Sequence, residues 1–168
     1  MSIDGQDYLL RLAALSLSFV GFTSIIVTLR SALGGKLSAG HVRFVRLYIE
    51  TGLAVTFLSL LPALLNFLGA PEPAMWQWAS ATAGSLLTLL MIVQFRRRRL
   101  VEGKFPVWVV VVYLTSATAV VALWLNSFGI PSGPGAAAYA VALTWSLFVC
   151  GYVFLRTLDL FLHASSEQ

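Results

Sequence analysis

The chain has 168 residues, 58% hydrophobic and only 11% charged, with mean hydropathy +0.85 and net charge +4. Soluble domains carry about a quarter charged residues, so a fold this apolar has no water-facing surface to offer and its solvent is lipid. The length fits one domain over residues 1–168, and the single cysteine, Cys150, excludes an internal disulfide framework or a thiolate metal cluster within one chain.

A membrane-crossing helix needs about 20 predominantly apolar residues. Five segments qualify, at 8–29, 47–68, 75–95, 105–128 and 136–155, the last with a helical extension to about residue 162. The predicted fold class is therefore an all-α integral membrane protein with five transmembrane helices in one bundle.

Ahead of the first span, Asp4 and Asp7 suit a short translocated tail. It does not read as a signal peptide, because a basic leading region and a small-residue cleavage site are missing. Within the first span Ala13, Ser16, Gly21, Ser24 and Thr28 share one arc, opposite Leu15, Phe22, Ile25 and Leu29. Arg11 is the only formal charge there. The connector that follows, Leu33-Gly34-Gly35-Lys36, lacks the spacing and the Ser/Thr of a phosphate loop.

In the second span Gly52, Thr56, Ser59, Ala63 and Asn66 recur at steps of four, three, four and three, one small and weakly polar stripe. Arg43, Arg46 and Glu50 fall on the other face, and Arg46 with Glu50 has the i, i+4 spacing of an intrahelical pair. Glu50 sits about 6 Å deeper than Arg46, at about 1.5 Å per residue. An acid at that depth is a functional candidate, and equally an ion pair settling at the interface.

The third span, entered through Gly69-Ala70-Pro71-Glu72-Pro73, repeats the small stripe with Gln77, Ala81, Gly84, Ser85 and Thr88. It ends in Arg96, Arg97, Arg98 and Arg99, which read as a stop-transfer anchor able to meet anionic lipid headgroups rather than nucleic acid. The fourth span carries Thr115, Ala119, Ala122 and Asn126, and the fifth Ala140, Thr144 and Gly151. A second face of the fifth, Trp145, Tyr152, Arg156, Asp159 and His163, turns from aromatic to charged along its length. It reads either as an emerging amphipathic helix end, with Arg156 and Asp159 paired at i, i+3, or as a surface on which Arg156 meets Glu50 across a helix or subunit interface in a gate or latch.

Lys and Arg set the orientation. The first and third connectors with their flanks hold Arg30, Lys36, Arg43, Arg46, Arg96 to Arg99 and Lys104, and the second and fourth hold none. Cytoplasmic loops carry the excess, so the amino terminus is expected outside and the carboxyl terminus in the cytoplasm. The Ala-, Leu- and Arg-rich usage points to a bacterial inner membrane.

No catalytic, cofactor or metal motif emerges. His41 and His163 lie apart near the basic boundary, no Glu-x-x-His or Cys-x-x-Cys occurs, and no lysine lies within a span. An enzyme is not expected. The small polar residues Ser16, Ser24, Thr28, Gly52, Thr56, Ser59, Gly84, Ser85, Thr88, Thr115 and Asn126 are candidates for helix packing or for lining a pore. With five helices too few to enclose a pathway readily, the expected function is a homo-oligomeric channel or small-solute or ion passage, with an accessory subunit of a larger membrane complex as the alternative.

Overall fold

A computed structural model describes residues 5–32, 39–99, 107–130 and 135–163, and their side chains except at 30, 31, 39–44, 98, 99 and 156–163. The regular elements are all helical: α1 (Gln6–Ala32), α2 (Ala39–Phe67), α3 (Glu72–Arg99), α4 (Val107–Ser127) and α5 (Gly135–His163). Each contains a stretch of 21 to 26 residues long and apolar enough to cross a membrane. At about 1.5 Å per residue such stretches run about 31–39 Å, enough for a hydrocarbon core about 30 Å thick. The spans read from the sequence lie on these helices, differing by a few residues at their ends.

The side chains are distributed as lipid requires. Leu15, Phe22, Leu64, Leu89, Leu114 and Phe148 are all more than half exposed on the outside, whereas Ala79 and Ala83 are wholly buried. Lipid gives little hydrophobic drive to bring helices together, so small residues that let backbones approach take the interior.

Two helices end in the same way. Beyond α2, Gly69 has φ 80°, its N–H donates to the Asn66 carbonyl, and the Ala70 N–H donates to that of Leu65. Beyond α4, Gly129 has φ 69°, with Gly129 donating to Asn126 and Ile130 to Leu125. Both are Schellman caps, in which a left-handed glycine turns the chain so that orphan carbonyls are satisfied. Pro71 and Pro131 follow these caps in the sequence and cannot continue a helix.

Successive helices run antiparallel. Gln6 and Val20 of α1 lie beside Pro62 and Gly52 of α2, and Ser80 and Phe95 of α3 beside Asn126 and Tyr113 of α4. The chain then returns, because α5 packs against α2 as well as α4. Helices α2 to α5 thus form a closed four-helix ring, and α1 flanks it, its backbone beside α2 and α5 and its first turns near Trp76 of α3.

Polar contacts fix these neighbours. The Ser16 hydroxyl donates to the Gly52 carbonyl at 2.8 Å, and a Cβ at position 52 would run into Val20 Cγ2. Between α2 and α5 the contacts are reciprocal: buried Tyr48 donates to the Val153 carbonyl at 2.9 Å, and buried Tyr139 to that of Leu58 at 2.7 Å. Asn126 of α4 joins three helices, donating to Ser80 Oγ on α3 at 2.7 Å and to the Gly135 carbonyl on α5 at 3.1 Å.

Candidate functional site

The ring is filled unevenly. Around its closed half Leu58, Ala79, Ala83, Leu123, Tyr139 and Leu143 are wholly buried and belong to one continuous core. In the other half the four helices border a partly open chamber of about 130 Å³, extending along α4 from Trp108 to Val120. That is about 18 Å of helix at about 1.5 Å per residue.

The chamber wall is mostly apolar, from residues such as Leu87, Leu90, Val112 and Val149. Its polar groups come from every helix of the ring: Thr51 on α2, Gln94 on α3, Ser116 on α4, and Ser146 and Cys150 on α5. None of the lining residues carries a formal charge. The Ser146 hydroxyl donates to the Ala142 carbonyl and the Cys150 thiol points at the Tyr48 carbonyl, 3.9 Å away. Ser116 differs, since it lines the chamber and its hydroxyl makes no hydrogen bond among the described residues. The carbonyl four residues back, that of Val112, accepts from Thr115 instead.

At the end of the chamber marked by Leu47 and Trp108, a side-chain contact bridges each seam of the ring. Between α2 and α3, Arg97 Nη1 lies 3.1 and 3.3 Å from the two Glu50 oxygens, and Gln94 Nε2 lies 3.4 Å from Thr51 Oγ1. Between α3 and α4, Phe95 and Tyr113 meet edge to face at 5.8 Å. Between α4 and α5, Trp108 and Tyr152 do so at 6.3 Å. Between α5 and α2, Tyr48 bonds the Val153 carbonyl and packs edge-on to Phe154 at 5.4 Å.

Only the first of these four bridges is ionic. Glu50 also takes Arg46 Nε at 2.6 Å, so its carboxylate spans two guanidinium groups, one on its own helix and one on the neighbour. The side chains are 25% exposed for Glu50, 37% for Arg97 and 64% for Arg46, which places the cluster at the edge of the protein rather than in its core.

The sequence marked Glu50 and Arg46 as a pair, and they are one; Arg97 joins them. Arg43, Arg98, Arg99, Arg156 and Asp159 lie outside the described side chains, and Arg96 is exposed. The small polar candidates do not line the chamber. Ser24, Thr28, Thr56, Ser85, Thr88 and Thr115 all donate to the carbonyl four residues earlier in their own helices. Ser16 and Gly52 form the α1–α2 contact, Gly84 lies under the Trp124 ring of α4, and Asn126 ties three helices. Ser59 is buried with its hydroxyl unpaired, as is the indole N–H of Trp145.

Face analysis did not single out Thr51, Gln94, Ser116 or Ser146. Gln94 carries the clearest signal, an amide inside a span two residues before the arginine run. Comparison with known proteins finds no matching family model, no similar curated protein and no similar solved structure.

Proposed function

We propose that the protein is a small-solute or ion passage of the membrane, in which the chamber between α2 and α5 is the binding vestibule. The observation that carries this reading is the uneven filling of the ring, an open volume of about 130 Å³ beside a layer of wholly buried side chains. A helix bundle with no internal task closes on itself, because voids forfeit the packing contacts that hold membrane helices together. Solute enters past Glu50 and Arg97 and is held against the neutral polar groups of the wall. The packed layer around Leu58 and Tyr139 stops free leakage.

In this reading the chamber mouth faces the cytoplasm of a bacterial cell. The described arginines Arg46, Arg96 and Arg97 share that end, and the sequence puts the remaining lysines and arginines of the first and third connectors there as well. The amino terminus is then outside, and the arginine run meets anionic headgroups. Reporter fusions at the two termini test this orientation; activity of an export-dependent reporter at the carboxyl end would reverse it.

Self-association is favoured by a separate observation. Ala14, Ser18 and Gly21 form an exposed line on α1 with steps of four and three, and nothing lies within 4 Å of a Cβ placed on Gly21. Such a line suits close approach by a second helix, from another copy or from a larger complex that this chain serves.

The deciding experiment is flux across vesicles reconstituted with the purified protein. Neutral and charged small solutes are compared with protein-free vesicles and with Ser116→Trp, which fills the chamber. Faster flux, lost in the filled but folded variant, is the expected result. Flux equal to that of empty vesicles for every solute would remove the reading.

A further inference from the structure

Accepting the chamber as a solute site, we infer that its solute is an uncharged molecule about the size of one ring, recognised through a hydrogen bond to Ser116. Three observations converge on this class.

The first is size. A protein cavity of about 150 Å³ holds a benzene molecule, and the chamber at about 130 Å³ is of that order. The second is charge. Among the described residues the wall carries no formal charge to partner a charged solute, and Glu50 and Arg97 at the rim already pair with each other. An ion moved past them into this space would lose its hydration and gain no counter-charge, a cost that a neutral molecule avoids.

The third is the state of the hydroxyls. In these helices most described serine and threonine hydroxyls bond back to the preceding turn, as those of Ser18, Thr82, Thr118 and Ser146 do, while Ser59 is buried unpaired away from the chamber. Ser116 does not, and it lies near the middle of the α4 span, where there is no lipid headgroup to serve it. Thr115 donates to the Val111 and Val112 carbonyls, whereas Ser116, the next residue, lines the chamber without such a bond among the described residues. A polar group left open at that depth suits a polar atom arriving with the solute. Gln94, held to Thr51 through its amide nitrogen, adds a second polar point nearer the rim. Trp108 and Tyr113 offer ring faces between them.

Cys150 is the single cysteine of the chain and lies in the chamber wall, so it reports occupancy without any engineered label once the reaction is run at alkaline pH, which raises the thiolate fraction of a buried thiol. The full-length protein in lipid nanodiscs is treated with methyl methanethiosulfonate, and the labelling rate of Cys150 is followed by intact mass. Three probes of similar outline are supplied, benzamide (neutral and hydrogen-bonding) and ethylbenzene (apolar) at equal concentration in the lipid so that bulk transfer cancels, and benzoate (charged) at the aqueous concentration of benzamide. Benzamide is expected to protect Cys150 best. Its advantage over ethylbenzene should be about threefold or more, the scale of one average interhelical hydrogen bond in a membrane.

Ser116→Val should abolish that advantage while leaving protection by ethylbenzene intact, and Ser116→Thr, which keeps the hydroxyl, should retain it. Protection by benzoate equal to or stronger than that by benzamide overturns the neutral class while leaving the chamber as a binding site. An unchanged benzamide preference in Ser116→Val overturns the role of Ser116. Absence of protection by all three probes, together with an unchanged labelling rate in Ser116→Trp, overturns the chamber itself.

Discussion

Tyr139 of α5 donates its hydroxyl hydrogen to the Leu58 carbonyl of α2, and Leu58 stands four residues before Pro62. The relationship is causal in the chemistry. A proline inside a helix has no N–H for the carbonyl of residue i−4, so Pro62 strips Leu58 of its intrahelical donor. Buried in a membrane bundle, that carbonyl needs another donor, and Tyr139 supplies it from the facing helix. The reciprocal bond, Tyr48 to Val153, goes to a carbonyl inside a continuous stretch of α5 without proline.

The two tyrosines therefore differ in what their removal leaves behind. Tyr139→Phe is expected to destabilise the fold by about 1–2 kcal/mol, near the upper end for membrane hydrogen bonds, and Tyr48→Phe by about 0.6 kcal/mol, near their average. Pro62→Ala should recover part of the loss in Tyr139→Phe, because residue 62 then has an N–H for Leu58. Denaturant unfolding of the double-mutant cycle measures this, and equal losses at the two tyrosines would break the argument.

Among the described side chains Glu50 and Arg97 form the ionic bridge across the chamber rim, on groups that water or headgroups still reach. Exposed pairs contribute about 0–1 kcal/mol, so Glu50→Gln and Arg97→Gln should leave unfolding nearly unchanged. A rim role instead predicts altered flux in both, by severalfold, with Arg46→Gln weaker because Arg46 bonds within its own helix. The exchange Glu50→Arg with Arg97→Glu should return flux towards the original value. Reconstituted flux beside thermal unfolding separates the cases, and flux that is insensitive at both positions would confine the pair to anchoring.

The sequence made the five helices legible because the bilayer imposes one strict rule, about 20 apolar residues per crossing, and the glycine-proline connectors obey it from the other side. It also exposed the Arg46–Glu50 pair, which depends only on spacing within one helix. Arg97 as the third member was not legible, since it depends on which helix stands beside α2. The chamber was hidden for the same reason. Its polar points come one or two from each helix, so no single helix shows a polar face toward it: Thr51, Gln94 and Ser116 each stand alone on their helix in the chamber wall beside apolar lining residues. The stripes that were conspicuous, such as Thr56 and Thr88, spend their hydroxyls on their own backbones. Helical periodicity reveals which residues share a face and says nothing of what fills the space in front of it.

Asn126 holds the sealed half together. Its amide donates to Ser80 Oγ and to the Gly135 carbonyl, linking α4 to α3 and α5 just before the Gly129 cap. Asn126→Leu keeps the bulk and removes both bonds, leaving two acceptors without that donor, at an expected cost of about 1–3 kcal/mol. If this layer is the barrier, the variant should also leak, raising flux without weakening probe binding in the chamber. Flux and Cys150 protection measured on the same preparation test both parts. A stable, tight variant would place the barrier elsewhere.

Two glycines separate folding from association. Gly52 faces inward, where its carbonyl takes the hydroxyls of both Ser16 and Thr56 and a Cβ would run into Val20. Gly21 faces outward with open space around it. Gly52→Leu must push α1 away from α2 or strain both helices, and overpacking of this kind costs about 1–3 kcal/mol. Gly21→Leu has nothing within its own chain to strike, and leucine is the better helix former by about 0.8 kcal/mol or less. Its fold should therefore be unharmed or slightly firmer. If the Ala14, Ser18 and Gly21 line seats a second copy, the same substitution should lower the assembly state at equal stability. Unfolding midpoints paired with the mass of the protein in nanodiscs distinguish the two effects. An unchanged mass in Gly21→Leu would mean that lipid, not another copy, covers that face of α1.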